Sequence, residues 1–121
     1  MATQWMLEPT DSFKRDERRY KKKHPHEYDA IMVNLDKYFC VLQKSNYTHF
    51  ITMNYLHPEP DGVIAIDQKG KSKYRLQQTR LYAYPDSSKK VLFLLAIGSK
   101  SGQSRDVNNC RKMVREIKKD K

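Results

Sequence analysis

The clearest hydrophobic pattern in the chain lies between residues 28 and 42. Its apolar side chains recur at intervals of three and four, the spacing of one face of an α-helix. The members of this stripe are Tyr28, Ile31, Met32, Leu35, Tyr38, Phe39 and Leu42. A second helical segment covers residues 12–24, with Phe13 and Tyr20 seven positions apart, and Pro25 interrupts the pattern between the two. The pattern therefore predicts a helical hairpin.

Apolar runs of strand length lie on both sides of this hairpin. TQWMLEP (3–9) is a short run that ends in Pro, and it predicts a first strand. After the hairpin come GVIAID (62–67), YRLQQTRLYAY (74–84) and VLFLLAIGSK (91–100), with PDSSKK as the connection between the last two. Residues 91 to 97 are continuously apolar, which is typical of a central strand covered on both faces.

A final helix is predicted over residues 105–121. Its apolar face consists of Val107, Cys110, Met113, Val114 and Ile117. Residues 45–61 are read either as a strand or as an extended insertion. The fold class is therefore α+β: an N-terminal strand and a helical hairpin packed on a small antiparallel sheet of about four strands, with a C-terminal helix. The length of 121 residues predicts a single domain over 1–121.

The charge balance indicates which classes of partner the chain favours. The chain has 24 Lys and Arg against 14 Asp and Glu, a formal charge of +10, which favours nucleic acid, the ribosome, an anionic membrane or an acidic protein. No stretch approaches 18 apolar residues, and the N-terminus lacks the pattern of a signal peptide. Two lone cysteines, Cys40 and Cys110, indicate a reducing compartment. We therefore expect a cytoplasmic protein with no membrane partner.

Several kinds of catalytic site are absent from the sequence. It has no Gly-x-Ser-x-Gly, no His-Glu-x-x-His, no Cys-x-x-Cys and no phosphate-binding Gly-x-x-x-x-Gly-Lys-Ser/Thr. The four histidines have the spacing of no common metal site. We expect neither a metal ion nor an organic cofactor.

What remains is a set of cations on or beside the predicted sheet. Side chains alternate along a strand, so Lys71, Lys73 and Arg75 share a side if the strand is regular there. If instead GVIAID is the first strand of the sheet, Lys71 and Lys73 lie on a hairpin turn. Such cations bind RNA phosphates. The alternative is a solvated face with extended Lys and Arg side chains.

The same alternation places Arg80 on one face with Tyr82 and Tyr84. An antiparallel return through PDSSKK brings Lys100 back towards the start of the long strand. The predicted result is a cationic surface edged by tyrosines, whose rings stack on unpaired bases.

At these residues the sequence resembles the RelE/ParE superfamily of toxins from type II toxin–antitoxin systems, in its RelE/HigB-like branch. The similarity consists of Lys-x-Lys-x-Arg at 71–75, then Arg-Leu at 80–81, then Gly-Ser-Lys at 98–100. The order of strand, helical hairpin, antiparallel sheet and closing helix is also that of the superfamily.

The resemblance implies a ribosome-dependent mRNA endonuclease, in which the 2′-hydroxyl attacks the adjacent phosphate. It assigns catalysis to Arg80, Lys100, Lys71 and Lys73. It assigns RNA binding to Arg75, Tyr82, Tyr84 and Gln103. It also implies a cognate antitoxin, the ribosome with its mRNA, and operator DNA reached through the antitoxin.

The sequence departs from the resemblance in one respect. Relatives of the RelE type place a Tyr or His after the last strand, and this chain has no Tyr, Trp or His after Tyr84. The general acid or base is then drawn from elsewhere, such as Tyr82, His49 or His57. Two alternatives stay open: a ParE-like toxin that inhibits DNA gyrase, and a nucleic-acid-binding domain without catalysis.

Overall fold

The helical hairpin begins close to where its sequence signals place it. In the computed structural model, which describes residues 4–45, 54–68 and 76–119, helix α1 spans Asp11–Lys23 and helix α2 spans Pro25–Ser45. The Thr10 hydroxyl accepts a hydrogen bond from the Phe13 amide at 3.1 Å and so caps α1. Pro25 stands at the first position of α2, where its missing N–H costs nothing. No helix in these ranges has the length and apolar character needed to cross a bilayer.

Apart from two short 3₁₀ turns, Pro60–Gly62 and Lys100–Gly102, the remaining elements of the described ranges are five strands and one further helix. In chain order they are β1 (Met6–Pro9), β2 (Leu56–Pro58), β3 (Ile64–Asp67), β4 (Thr79–Asp86), β5 (Val91–Ser99) and helix α3 (Gln103–Lys119). The strands form one sheet with the spatial order β1-β5-β4-β3-β2. The predicted α+β fold, with its N-terminal strand, helical hairpin, sheet and closing helix, is confirmed.

Two details of the predicted sheet are corrected. The described strands number five, and the sheet is mixed, because β1 runs parallel to β5 with Met6 opposite Val91. Strands β2 to β5 are antiparallel as predicted. The chain between β1 and β5 contains the helical hairpin and strands β2 to β4, which is ample for the long connection that a parallel pair requires. Within the unassigned stretch 45–61, Leu56–Pro58 forms the outer strand β2.

The ends of β4 also differ from the sequence pattern. Residues 76–78 precede the strand, which begins at Thr79, and its last two residues are Pro85 and Asp86. The connection to β5 is therefore shorter than PDSSKK. Asp86 closes it, because Oδ1 accepts hydrogen bonds from the amides of Ser88 and Lys89 at 3.1 and 3.2 Å.

Both faces of the sheet are covered by helix. One face, called the hairpin face below, packs against α1 and α2 through Phe13, Ile31, Leu35, Tyr38, Leu42, Ile66, Leu81 and Leu92, all at most 2% exposed. The other, called the α3 face, packs against α3 through Val63, Ala65, Tyr82, Tyr84, Phe93, Leu95, Cys110 and Val114. This double coverage explains the unbroken apolar run of β5.

Candidate functional site

Three polar side chains meet at the edge of the α3 face, where β2, β3 and β4 lie side by side. Asp67 at the end of β3 pairs with Arg80 near the start of β4, and His57 of β2 pairs with Ala65 of β3. Side chains alternate along a strand, so Ala65 and Asp67 point to the same face. His57 and Arg80 therefore stand on either side of the Asp67 carboxylate, on the face that α3 covers.

The Asp67 carboxylate contacts both neighbours, one with each oxygen. His57 Nε2 lies 2.7 Å from Oδ2, and Arg80 Nε lies 2.9 Å from Oδ1. The contact with Arg80 is an ion pair without a hydrogen bond. Within the described ranges, Oδ1 of Asp67 has no hydrogen-bond partner. The exposed fractions of the side chains are 12% for Asp67, 16% for Arg80 and 36% for His57. His57 is thus the member that solvent and a ligand reach most easily.

The backbone of Asp67 is held as firmly as its side chain. Asn34 Nδ2, on α2, donates to the Asp67 carbonyl at 2.6 Å, and the Asp67 amide donates to the Tyr55 carbonyl at 2.7 Å. Asn34 is itself 3% exposed. These bonds fix where the carboxylate stands, and the carboxylate in turn orients the guanidinium and the imidazole.

This arrangement suits the binding of an anion. Nε of Arg80 faces Asp67, and within the described ranges the two terminal nitrogens of the guanidinium form no ion pair or hydrogen bond, so they can bind a phosphate. A side chain that is only 16% exposed is screened less by salt than a charge on the open surface. Within the described ranges, no group of three or more His, Cys, Asp or Glu side chains is arranged to hold a metal ion.

Lys100 lies at the same end of the sheet as Arg80. Gly98 of β5 is the strand partner of Arg80, and Lys100 follows two residues later, about 7 Å along an extended chain. The Lys100 amide donates to the Gln78 carbonyl at 3.1 Å, which ties this residue to the segment leading into β4. Its side chain is exposed. The structure therefore brings Lys100 and Arg80 into one region, as the strand return predicted.

Gly98 has a steric reason to lack a side chain. A Cβ at this position would overlap Oδ2 of Asp106, which α3 holds against the strand. Burial raises the pKa of Asp106, and the negative charge of Asp16 adds to the effect, which the Arg105 guanidinium opposes. Asp16 and Asp106 line a polar cavity of about 240 Å³ between α1 and α3. Helix α3 thus lies against β5 at Gly98, the residue that pairs with Arg80 in the sheet.

The two tyrosines predicted to bind RNA lie beneath α3. Tyr82 is 0% exposed, and burial raises the pKa of its hydroxyl. The ring of Tyr84 is stacked on Phe93 with centroids 6.2 Å apart, and Lys118 Nζ lies 5.7 Å from its centroid. Stacking on a base would require α3 to leave this face, so the RNA-binding role of both tyrosines stays a prediction.

Of the other predicted site residues, only Gln103 lies within the described ranges. Gln103 is the first residue of α3 and is half-buried. Lys71, Lys73 and Arg75, together with the candidate base His49, lie outside the described residues. Whether the first two belong to a strand or to a turn therefore stays open.

Besides its apolar packing on the sheet, α3 makes ion pairs to the turn before β3. Arg111 Nε lies 2.9 Å from Asp61 Oδ2, and Arg115 Nη2 lies 3.5 Å from the same oxygen. The hydrogen bond from Arg111 lowers the pKa of Asp61. Asp61 has a φ of 64° and Gly62 a φ of 84°, so the turn uses the left-handed region twice in succession.

Comparison with known proteins finds similar solved structures but no significant sequence match. No protein-family model matches the chain, and no curated protein sequence matches it significantly. Among solved structures, a mutant of the E. coli toxin RelE in the free state is 20% identical, with a TM-score of 0.49 over 89% of this chain and 92% of that one. The toxin–antitoxin complex RelBE2 from Mycobacterium tuberculosis is 15% identical, with a TM-score of 0.47 over 81% of this chain and 100% of the matched chain.

Sequence reasoning missed Asp67 and the position of His57 beside it. Asp67 ends the β-branched run IAID, where it reads as the polar end of a strand. Opposite charges paired across antiparallel strands are a recognised stabilising pair, so the register of β3 against β4 would have indicated the contact with Arg80. His57 had no comparable signal, because β2 lies in the stretch whose structure the pattern left open.

Proposed function

We propose that this protein is the toxin of a toxin–antitoxin pair and that it cleaves mRNA on the ribosome. The observation that carries the proposal is Arg80, a largely buried guanidinium whose orientation is set by Asp67 and whose terminal nitrogens remain for a phosphate. The resemblance of the residues around Arg80 and Lys100 to the RelE-like branch supports it further. The proposed location is the cytoplasm, where mRNA and ribosomes are found.

The chemistry is attack by the 2′-oxygen of a nucleotide on its own 3′-phosphate. A bond forms between that oxygen and phosphorus, the bond from phosphorus to the 5′-oxygen breaks, and a 2′,3′-cyclic phosphate remains. Negative charge grows on the phosphate in the transition state. A cation fixed in advance stabilises that charge at no cost of reorganisation, and losing one such contact reduces a rate by about 10²–10³-fold.

The other cations are assigned by the same logic. Lys100 is the second cation at this end of the sheet, and Lys71 and Lys73 complete the proposed catalytic set. Arg75 and Gln103 are proposed to hold the RNA on either side of the cut. The antitoxin is proposed to lay an acidic segment against this cationic surface, since the chain carries a formal charge of +10. Operator DNA would then be bound by the antitoxin within the complex.

A nucleic-acid-binding domain without catalysis is the second candidate, and α1 favours it. Seven cations of this helix are exposed: Lys14, Arg15, Arg18, Arg19, Lys21, Lys22 and Lys23. Such a surface binds phosphates without regard to sequence or chemistry. In that case the cations contribute to binding through their number, and no single arginine is essential.

Induced expression of three proteins, the wild type and two variants, distinguishes the mRNA-cleaving toxin from the binding domain without catalysis. The wild-type chain, Arg80→Ala and the matched control Arg18→Ala are expressed from a tightly regulated promoter, and the 5′ ends of cellular mRNA are mapped. The proposal predicts new ends and growth arrest with the wild type and Arg18→Ala, and neither with Arg80→Ala. Intact mRNA in all three strains would contradict it. Equal, partial losses of RNA affinity in the two purified variants, measured by a binding titration, would favour the binding domain.

A further inference from the structure

We propose that His57 is the general base of the cleavage reaction and that Asp67 is its positioning residue. This inference rests on the proposed function and deepens it by naming the group that removes the proton from the 2′-hydroxyl. Of the candidates that the sequence offers, Tyr82 is 0% exposed beneath α3, whereas the His57 side chain is 36% exposed. His57 is therefore the described candidate that a substrate reaches.

The contact with Asp67 prepares the imidazole for this role. His57 Nε2 lies 2.7 Å from Asp67 Oδ2, so a carboxylate at this position holds the ring with its proton on Nε2. The other ring nitrogen, Nδ1, is then the one that accepts a proton. A carboxylate that orients a histidine and stabilises its protonated form is a recurring device in catalysis by hydroxyl groups.

One carboxylate sets the positions of two functional groups. Oδ2 contacts the imidazole of His57, and Oδ1 contacts the guanidinium of Arg80, so the two are neighbours on the same side of the sheet. The phosphate bound by Arg80 would bring its ribose next to His57. A base placed beside the anion-binding cation is the geometry that this reaction needs.

The step balances with these groups. His57 Nδ1 takes the proton of the 2′-hydroxyl as the 2′-oxygen forms its bond to phosphorus. The bond between phosphorus and the 5′-oxygen breaks, its electron pair stays on that oxygen, and the oxygen takes a proton from water. Arg80 stabilises the charge on the phosphate while both bonds are partial. His57 then returns its proton to solvent.

The competing view is that this trio only ties β2 and β4 to β3. A structural role predicts a loss of stability when His57 is changed and no specific loss of rate. The test therefore measures cleavage of a defined mRNA on ribosomes under single-turnover conditions, together with RNA affinity and the thermal midpoint. The proteins are the wild type, His57→Gln and the matched control His26→Gln, which changes an exposed histidine at the start of α2.

The expected result is a cleavage rate lowered by about 10²–10³-fold in His57→Gln, with RNA affinity within a factor of three and the thermal midpoint little changed. His26→Gln cleaves at the wild-type rate. Asp67→Asn lowers the rate constant as well, and Asp67→Glu, which keeps a carboxylate for both neighbours, recovers part of the loss. A His57→Gln protein that cleaves at the wild-type rate would overturn the inference and leave the proposed function standing. A wild type that leaves the mRNA intact would overturn both.

A second substrate tests whether His57 acts as the general base or as the general acid. With sulfur in place of the bridging 5′-oxygen, the leaving group needs no proton, so the defect of an enzyme lacking its general acid disappears. The inference predicts that His57→Gln stays slow on this substrate. Recovery of the wild-type rate would show that His57 protonates the leaving group and would overturn its assignment as the base.

Discussion

The two faces of the sheet are built from the same strands for different purposes. On the hairpin face, the buried cluster that packs against α1 and α2 consists of apolar and aromatic side chains that are at most 7% exposed. The α3 face is also apolar at its centre, but three polar side chains stand at its edge, namely His57, Asp67 and Arg80. The difference indicates which face stabilises the fold and which face is available for chemistry.

The contrast has an energetic side. Apolar area removed from water stabilises a fold by about 25 cal/mol per Å², and the hairpin face consists mainly of such area. A partly buried ion pair contributes little to the stability of the fold, because the loss of hydration offsets most of the attraction between the charges. The edge of the α3 face therefore gives up stability that apolar residues would have supplied, and such an exception is typical of a functional site.

The largest expected effect on stability lies on the hairpin face. Leu35 is 0% exposed at the centre of α2, so Leu35→Ala leaves a cavity and lowers the free energy of unfolding by about 2–5 kcal/mol. The matched control is Val33→Ala on the same helix, where Val33 is 53% exposed and the expected change is about 0.5 kcal/mol or less. Urea titration measures both. Similar losses in the two variants would mean that α2 does not pack through its predicted stripe.

An intermediate effect is expected at the edge of the α3 face. Asp67→Ala leaves the guanidinium of Arg80 largely buried without its partner and should lower the free energy of unfolding by about 1–3 kcal/mol. Adding Arg80→Met to that variant should restore most of the loss, because the unpaired charge is then gone. Both proteins, together with the single Arg80→Met variant, complete a double-mutant cycle by urea titration. Strictly additive effects would show that the ion pair contributes no coupling.

The hairpin face was also the more predictable of the two from sequence. Its stripe in α2 repeats at the helical period, and the period alone decides which side chains face the sheet. The parallel pairing of β1 with β5 had no local signal, since Met6 and Val91 are brought together only by tertiary packing. The contact between His57 and Asp67 could not be predicted from sequence for the same reason. It depends on the register of two strands and on the orientation of both side chains.

The smallest expected effect compares the two cysteines. Cys40 is exposed on the outer side of α2, whereas Cys110 lies beneath α3, where burial raises the pKa of its thiol to about 12. At pH 8 a thiol-specific alkylating reagent should modify Cys40 in the folded protein and spare Cys110, since the thiolate is the reactive form. Intact mass and peptide mapping report the sites. Equal labelling would mean that α3 opens readily.

The same thiol also links stability to alkaline pH. In the unfolded chain the thiol ionises near its ordinary pKa of 9.0, while the folded protein keeps its proton up to about pH 12. The folded state therefore binds more protons between these values, so this contribution is complete below pH 9 and is lost as the pH rises towards 12. Cys110→Ala should lose stability less steeply over pH 9–11 than the wild type. A steeper loss would contradict the sign.

The most direct test of the central claim is the chemistry of the cut ends. The purified chain is mixed with ribosomes carrying a defined mRNA, and the fragments are analysed by mass spectrometry for the wild type and for Arg80→Lys. The account predicts an upstream fragment that ends in a 2′,3′-cyclic phosphate, formed about 10²-fold more slowly by Arg80→Lys, because an ammonium cannot reproduce the geometry of the guanidinium. Intact mRNA with the wild type, or equal rates for the two proteins, would contradict it.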